Sequence, residues 1–553
     1  MKTNFPIKNQ IWTPSYFGKY WGDFVNAFSI NLFSKRGAVL SQIGLGPHTT
    51  KSDTADMNRI PSDMVEFDNC YWTFTTKVMK TDNLVNKFAA DTLTNSPTDL
   101  NDADGIVYQN KLIVSRPTDL AMLNSASGTW DKTWWTGTLG QSALQNCSHP
   151  LATMGSAHLF VGDKNNMHDI FGGDTVYLNR YTIPDTENAT IEWIKTTSDF
   201  VYLGVEIDDG EHKYMVVEFD PISEKSKEIY LNQKAMGFVW NDSFYLILED
   251  GSIKIRSGSY ALTPIFEKVA QFPVCRDTKV IKLPHRNGVS IYRDKPIFFL
   301  KEYAEGLYTP AGIYILDKDV GVYHWKALGD SHNYGCLAIQ GYRVLYVDKD
   351  DFIFAGADVA TTDYNSVTRG LFCDTWASSY PQRFSWIELP EIRSSELDDI
   401  WQNIAIFVKN YYDTNKITIQ YKTEYAGDWA NWSGTWKSDN SFTYSGSPYN
   451  LEVGNSVVIL QGYGGGLIAH ITDINTSTKT ITIDKSVSGA SGDMKFWIDT
   501  YKKVGTIELE NGYEMISFPS QPLISPSIQV RLLIEKGGIL STSIQHKPNN
   551  ILE

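Results

Sequence analysis

Residues 238–255 read FVWNDSFYLILEDGSIKI, and the reading of this stretch decides the fold. Val239 and Trp240 end one apolar run, and Asn241 and Asp242 tolerate left-handed turn dihedrals. Residues 244–248 make a second run, and Asp250 and Gly251 turn the chain towards Ile253 and Ile255. Two strand signals and two tight turns in so short a span predict a β-meander.

The same grammar recurs along the chain: VEFDNCYWTF from Val65, IVYQNKLIV from Ile106, MGSAHLFVG from Met154, IKTTSDFVYLG from Ile194, VSIYRDKPIFFL from Val289 and VLYVDKDDFIFA from Val344. Successive turns are about 40 to 55 residues apart, the repeat length of four-stranded propeller blades. Some 330 residues, from about 50 to 380, divided by about 45 give seven blades, with six as the alternative. Intervening segments such as KYMVVEF from Lys213 and GIYIL from Gly312 supply outer strands.

The 553 residues exceed what one core usually organises, so at least one further domain is expected. Hydrophobic residues at 42%, aromatics at 13%, 41 Gly and 21 Pro favour many short strands and tight turns over long helices. The net charge of -15 argues against a sequence-independent grip on phosphates, so no specific nucleic-acid binding is expected. The cysteines (Cys70, Cys147, Cys275, Cys336 and Cys373) are odd in number, widely spaced and without a CxxC pair, which favours free thiols. The start, MKTNFPIKNQIW, lacks a signal-peptide core, and no run of about 18 apolar residues occurs. Assembly in a reducing cytoplasm and no transmembrane segment are therefore the expectations.

In chain order, residues 1–25, with Trp12, Tyr16, Phe17, Tyr20 and Trp21 among prolines and glycines, read as a docked arm. The stretch FSINLFSKRGAVLSQ, residues 28–42, reads as a hairpin turning at Arg36-Gly37 and is expected to pair with the last blade, closing the ring. The propeller is placed at 26–385. Near Tyr380 the meanders give way to SYPQRFSWIELPEI and the acidic SSELDDIW, and the alternating strands IAIFVKN, KITIQYKTEY, VGTIELE and IQVRLLIEK predict a β-sandwich over 386–553. Trp429, Trp432 and Trp436 read as a bridge to a small SH3-like barrel inserted at 447–498.

No stretch carries a catalytic constellation. Asp99, Asp102 and Asp104 before Gly105 resemble an oxygen-rich calcium loop without its closing Glu, and a solvated turn is the stronger reading there, as at Asp208-Asp209-Gly210 and residues 348–351. His149 and His158 are the nearest pair of histidines, without an HExxH or GxSxG frame. SASGTWDKTW from Ser125 shares only a Gly-Thr-Trp corner with sialidase boxes, and the 464–466 glycine run lacks the Lys-Ser/Thr of a phosphate loop. The aromatic excess suits the wedges between blades better than a sugar face. No catalytic, cofactor-binding or metal residue is assigned, and no cofactor is expected.

The frame WIELPEI, NIAIFVK, KITIQYKTEY, VGTIELE, IQVRLLIE and STSIQHKP, together with SINLFSKRGAVLSQ and the blade hairpins, resembles propeller-bearing tail proteins of tailed bacteriophages. That resemblance implies a non-enzymatic structural virion protein of the tail tip, nozzle or hub. Its expected partners are other phage tail proteins, a homo-oligomeric ring and a host surface. A carbohydrate-binding or glycan-degrading β-propeller is the alternative, because propeller pockets gather residues far apart in sequence.

Overall fold

The structure, a computed structural model, describes residues 61–300, 432–461, 468–509 and 512–548 with short gaps inside those spans, and individual strands elsewhere. Among the described residues it is all-β apart from one helical turn at Trp134–Thr138, and their strands form seven propeller sheets. Blade 1 comprises Met64–Phe67, Cys70–Phe74, Val78–Thr81 and Ala89–Ala90. Blade 2 comprises Gly105–Tyr108, Lys111–Ser115 and Leu120–Leu123, and blade 3 Leu151–Met154, His158–Asp163, Asn166–Phe171 and Thr175–Thr182. Blades 4 and 5 run from Ala189–Thr196 to Lys225–Leu231 and from Ala235–Trp240 to Ile265–Gln271. Blade 6 runs from Val289–Tyr292 to Gly321–Lys326. Blade 7 is Leu345–Asp348, Asp351–Val359 and Val367–Asp374, completed by Thr49–Thr50.

Each of the seven sequence echoes is the first hairpin of a blade. Asp68 and Asn69, Gln109 and Asn110, and Asn241 and Asp242 all take φ of 50° to 58°. Two successive left-handed residues make the type I′ turn, whose twist matches that of paired strands. Side chains alternate between the two faces of a blade, and both faces are buried. On the second strand of blade 2, Leu112 and Val114 pack with Trp72, Phe74 and Trp130, whereas Ile113 packs with Trp134, Trp135 and Leu159 towards blade 3. Between blades 4 and 5, Tyr202 stacks on Phe244 with centroids 3.8 Å apart. The Trp193 ring covers Gly204 and Gly237, where any Cβ would collide with it. Aromatic rings therefore fill the wedges, each fully buried one contributing about 1.5–3 kcal/mol.

Ring closure departs from expectation. The Leu32–Lys35 and Ala38–Ser41 hairpin forms, with Lys35 opposite Ala38, but it adds to a sandwich sheet through Val39 opposite Ile539. Two residues, Thr49 and Thr50, close blade 7 instead. The propeller strands thus run from Thr49–Thr50 to Val367–Asp374, inside the expected 26–385. A hairpin edge offers the same N–H and C=O groups to either acceptor, and only the folded geometry chooses between them.

The sandwich draws on both ends of the chain. One sheet contains Lys2–Pro6, the 32–41 hairpin, Asp399–Lys409, Gly512–Ser517, Leu523–Ser525 and Gly538–Pro548. The other contains Phe28–Ile30, Ser385–Glu388, Ile392–Arg393, Asn415–Lys422, Lys502–Leu509 and Ser527–Lys536. Tyr421 of the second sheet meets Phe518, beside the first, edge to face at 5.2 Å. Of the expected N-terminal arm, Lys2–Pro6 pairs antiparallel with Gly538–Pro548, and residues 7–25 lie outside the described ones. Ile43–Leu45 pairs with Trp376–Pro381 as a two-stranded ribbon, so the chain leaves the sandwich and returns to it side by side. The propeller is itself an insertion in the sandwich.

The small barrel is closed, in the order Trp432–Ser438, Ser441–Tyr444, Thr480–Ile483, Ile468–Asn475, Ser456–Gln461 and Asp493–Asp499. It begins at Trp432 rather than at 447, because the supposed bridge supplies two of its six strands. Trp436 and Phe442 pack in its core with Ile481 and Phe496. Trp429 lies outside the described residues. A buried polar chain joins barrel to sandwich: Arg531 Nε donates to Gln420 Oε1 (2.6 Å), and Gln420 Nε2 donates to Ser456 Oγ (2.9 Å) and His470 Nε2 (2.5 Å). His470 Nδ1 in turn donates to Asp484 Oδ2 (3.0 Å), which holds the Asp484 carboxyl below its usual range against the effect of burial.

Candidate functional site in the propeller centre

The innermost strands of neighbouring blades pack against one another, so the residues that just precede them gather at one mouth of the central channel. Asp63 and Asp104 occupy equivalent places, each five residues before the first turn residue of its blade, Asp68 and Gln109. Each carboxylate caps the next blade. Asp63 accepts from the Met64 N–H (2.8 Å) and the Gly105 N–H (2.9 Å), and Asp104 Oδ2 accepts from the Leu151 N–H (3.1 Å).

Across the ring, the segment leading into blade 6 reaches this cluster. Arg286 Nε lies 2.8 Å from Asp104 Oδ1 and Nη1 lies 2.8 Å from Asp102 Oδ2. Its Nη2 donates to the Asp102 carbonyl (2.6 Å) and to Ser148 Oγ (2.8 Å). His285 Nε2 stands 3.3 Å from Asp102 Oδ1, and Asn287 Nδ2 donates to Asp104 Oδ1 (3.0 Å) and the Ser62 carbonyl (3.1 Å). Lys195, on the inner strand of blade 4, donates to the Arg286 carbonyl (2.9 Å). Five blades thus meet in one network.

Asp104 and Arg286 are buried, whereas Asp63 and Lys195 are half-buried. Burial, and then the Asp104 charge, push the Asp63 carboxyl up to about 8, so it is protonated at neutral pH. Burial pulls Lys195 down against the opposing pull of Asp104 and Asp63. It also works against the Arg286 charge, but Asp104 and Asp102 overcome it and hold the guanidinium firmly protonated.

The three carboxylates of the calcium-like loop therefore do not converge on one cation. Asp99 forms a two-point pair with Arg116 (2.6 and 3.0 Å), and Asp102 and Asp104 take Arg286. The Gly-Thr-Trp corner near Ser125 is a turn closed by Gly128 N–H to Ser125 O (2.9 Å), leading to the buried Trp130, whose Nε1 donates to Asp91 (2.7 Å). His158 pairs with Asp169 (3.0 Å) in blade 3, apart from the central network. Asp348 and Asp351 face each other across a hairpin of blade 7. Residues 208–210 and 464–466 lie outside the described ones. Sequence reasoning missed Asp63, Lys195, Arg286 and Asn287; the legible signal was the equal offset of Asp63 and Asp104 from their turns.

No family model matches the chain, and no curated protein matches it. Among solved structures, it is similar to the extracellular domain of a protein described as a hybrid two-component system from B. thetaiotaomicron, at 12% identity and a TM-score of 0.41, over 77% of this chain and 46% of that one. It is also similar to Chaetomium thermophilum Raptor, at 12% identity and a TM-score of 0.38, over 60% and 30%. A protein described as Bacteroides ovatus xyloglucan PUL GH43B aligns at 8% identity and a TM-score of 0.23, over 92% and 99%. The chain spans less than half the length of the first two. Scores this low add nothing to what the strand pairing itself establishes.

Proposed function

We propose that this chain is a structural protein that acts through rigid contacts and not through chemistry, and that its setting is the tail of a bacteriophage particle, as its strand frame suggests. The observation that carries the non-catalytic reading is Arg286. It occupies the propeller mouth, taking an oxygen from each of Asp102 and Asp104. A propeller hydrolase needs an acid and a base free to face substrate. Here the chain's own arginine, asparagine and backbone amides take those positions, and a substrate would have to displace them. The ribbon and the woven sandwich suit a part that holds its shape within an assembly, in a ring of copies touching other tail proteins. Proteomics and cryo-electron microscopy of purified particles test this reading: the chain should be present at a symmetric copy number, and its absence from intact particles would end the proposal.

A carbohydrate-binding or glycan-degrading propeller is the second reading, and one observation favours it. Asp63 is a carboxylic acid held neutral up to about pH 8 beside Asp104, the split between acid and base that inverting glycosidases use. Turnover of a host-surface polysaccharide that vanishes in Asp63→Asn would put this reading first.

A further inference from the structure

A second cluster stands at the junction of blades 2 and 3 and plays no part in the central network. Cys147 Sγ lies 3.8 Å from His149 Nδ1 and 4.0 Å from Asp163 Oδ1, and His149 Nδ1 lies 3.7 Å from that same oxygen. These are the ligand atoms of a thiolate, an imidazole and a carboxylate, all within 4.8 Å of one another. Around one zinc ion at ordinary bond lengths such atoms stand roughly 3.3–3.8 Å apart, so this triangle has to tighten by only a few tenths of an ångström.

The hydrogen bonds supply a second, independent reason. His149 Nδ1 lies 2.8 Å from the Gly162 carbonyl and Nε2 3.1 Å from the Pro117 carbonyl. A neutral imidazole has one N–H for those two acceptors, so one nitrogen turns a lone pair towards a carbonyl oxygen. A cation at Nδ1 removes the conflict: Nε2–H donates to Pro117, as metal-bound histidines donate their outer N–H to a carbonyl. Asp163 is supported in the same way. The Gln145 N–H donates to its Oδ1 (2.9 Å), and its Oδ2 lies 3.4 Å from His168 Nε2. His168 Nδ1 accepts the Asn179 N–H (3.0 Å), which places the ring proton on Nε2, facing the carboxylate.

We propose that Cys147, His149 and Asp163 form a structural zinc site. The mixed sulfur, nitrogen and oxygen set suits zinc and does not suit calcium or magnesium, which take oxygen ligands. Cys147 and His149 lie in the segment entering blade 3, and Asp163 ends the second strand of that blade, so the ion pins the segment to the sheet. Binding replaces the Cys147 thiol proton and leaves the ion bound to the thiolate.

The full chain, purified without chelators or metal-affinity resin and dialysed against buffered zinc, is the material for the test. Mass spectrometry should find about one zinc per chain. Cobalt in place of zinc should give the sulfur-to-metal charge-transfer band of a tetrahedral thiolate site. Cys147→Ser should abolish that band, and Asp163→Asn, nearly isosteric and so expected to fold even where the cysteine variant does not, should weaken zinc binding at least ~10-fold. A wild-type chain that takes up no zinc would overturn the proposal. Equal zinc content in wild type and both variants would overturn it as well, by placing the metal elsewhere.

Discussion

Replacing Arg286 by Met keeps the length of the side chain and removes its charge and all its hydrogen-bond donors. Asp104 then stays buried with only the Asn287 amide and the Leu151 N–H as donors, and Asp102 loses its guanidinium. Removing one partner of a buried ion pair costs about 3–5 kcal/mol, most of it the penalty of the stranded charge. A unit longer than 250 residues shifts by about 2 °C per kcal/mol, so the propeller transition should fall by about 6–10 °C at neutral pH in scanning calorimetry. The sign of a second change is decisive. Asp104→Asn added to Arg286→Met removes the stranded charge, so the double variant should be more stable than Arg286→Met alone, even though Asp104→Asn by itself destabilises. Arg286→Met costing less than about 1 kcal/mol, or a double variant no better than the single, would refute the idea that ion pairing holds the mouth together.

Four further outcomes follow from the same structure. Asp63 binds its proton more tightly folded than unfolded, so its contribution is complete below about pH 4 and is lost as pH rises to about 8; Asp63→Asn should flatten the fall in melting temperature between about pH 4 and 8, and parallel curves would contradict the assignment. Gln420→Leu takes the acceptor from Arg531 and the shared donor from Ser456 and His470, at a cost of about 2–4 kcal/mol by denaturant titration. Gly204→Ala drives a methyl into the Trp193 ring and should cost about 1–3 kcal/mol, whereas Gly155→Ala, with open space and a left-handed turn, should cost less. A chain cut at about residue 385 should leave a C-terminal piece that aggregates for want of Lys2–Pro6 and the 28–41 strands, whereas deleting 46–375 across the paired ribbon should leave a folded sandwich by circular dichroism.

The seven blade hairpins were legible because each is a local object: the turn residues, the flanking apolar runs and the pairing partner all lie within about a dozen residues. Asn241 and Asp242 announce their own turn wherever the chain goes. Thr49–Thr50 could not be read, since two threonines carry no pattern and their partners, Phe372 and Cys373, lie more than 300 residues away. The same limit hid the central network, in which Arg286 finds Asp104 across 182 residues of sequence. Trp432 and Trp436 misled for another reason: a tryptophan-rich segment without regular alternation reads as a linker, yet only every other side chain on Trp432–Ser438 enters the barrel core. Residues at strand edges and channel mouths take their partners from tertiary geometry, which neither composition nor spacing encodes.

The pairing of Lys2–Pro6 with Gly538–Pro548 also sets an order in time. A ribosome adding roughly 5–20 residues per second reaches the partner strand roughly half a minute to two minutes after the first strand has emerged. During that interval the blades appear one after another, each hairpin ready to form alone, while the earliest strands wait with unsatisfied edges. The propeller can mature as a tethered passenger of an unfinished sandwich, whose first sheet is completed only when Gly538–Pro548 arrives.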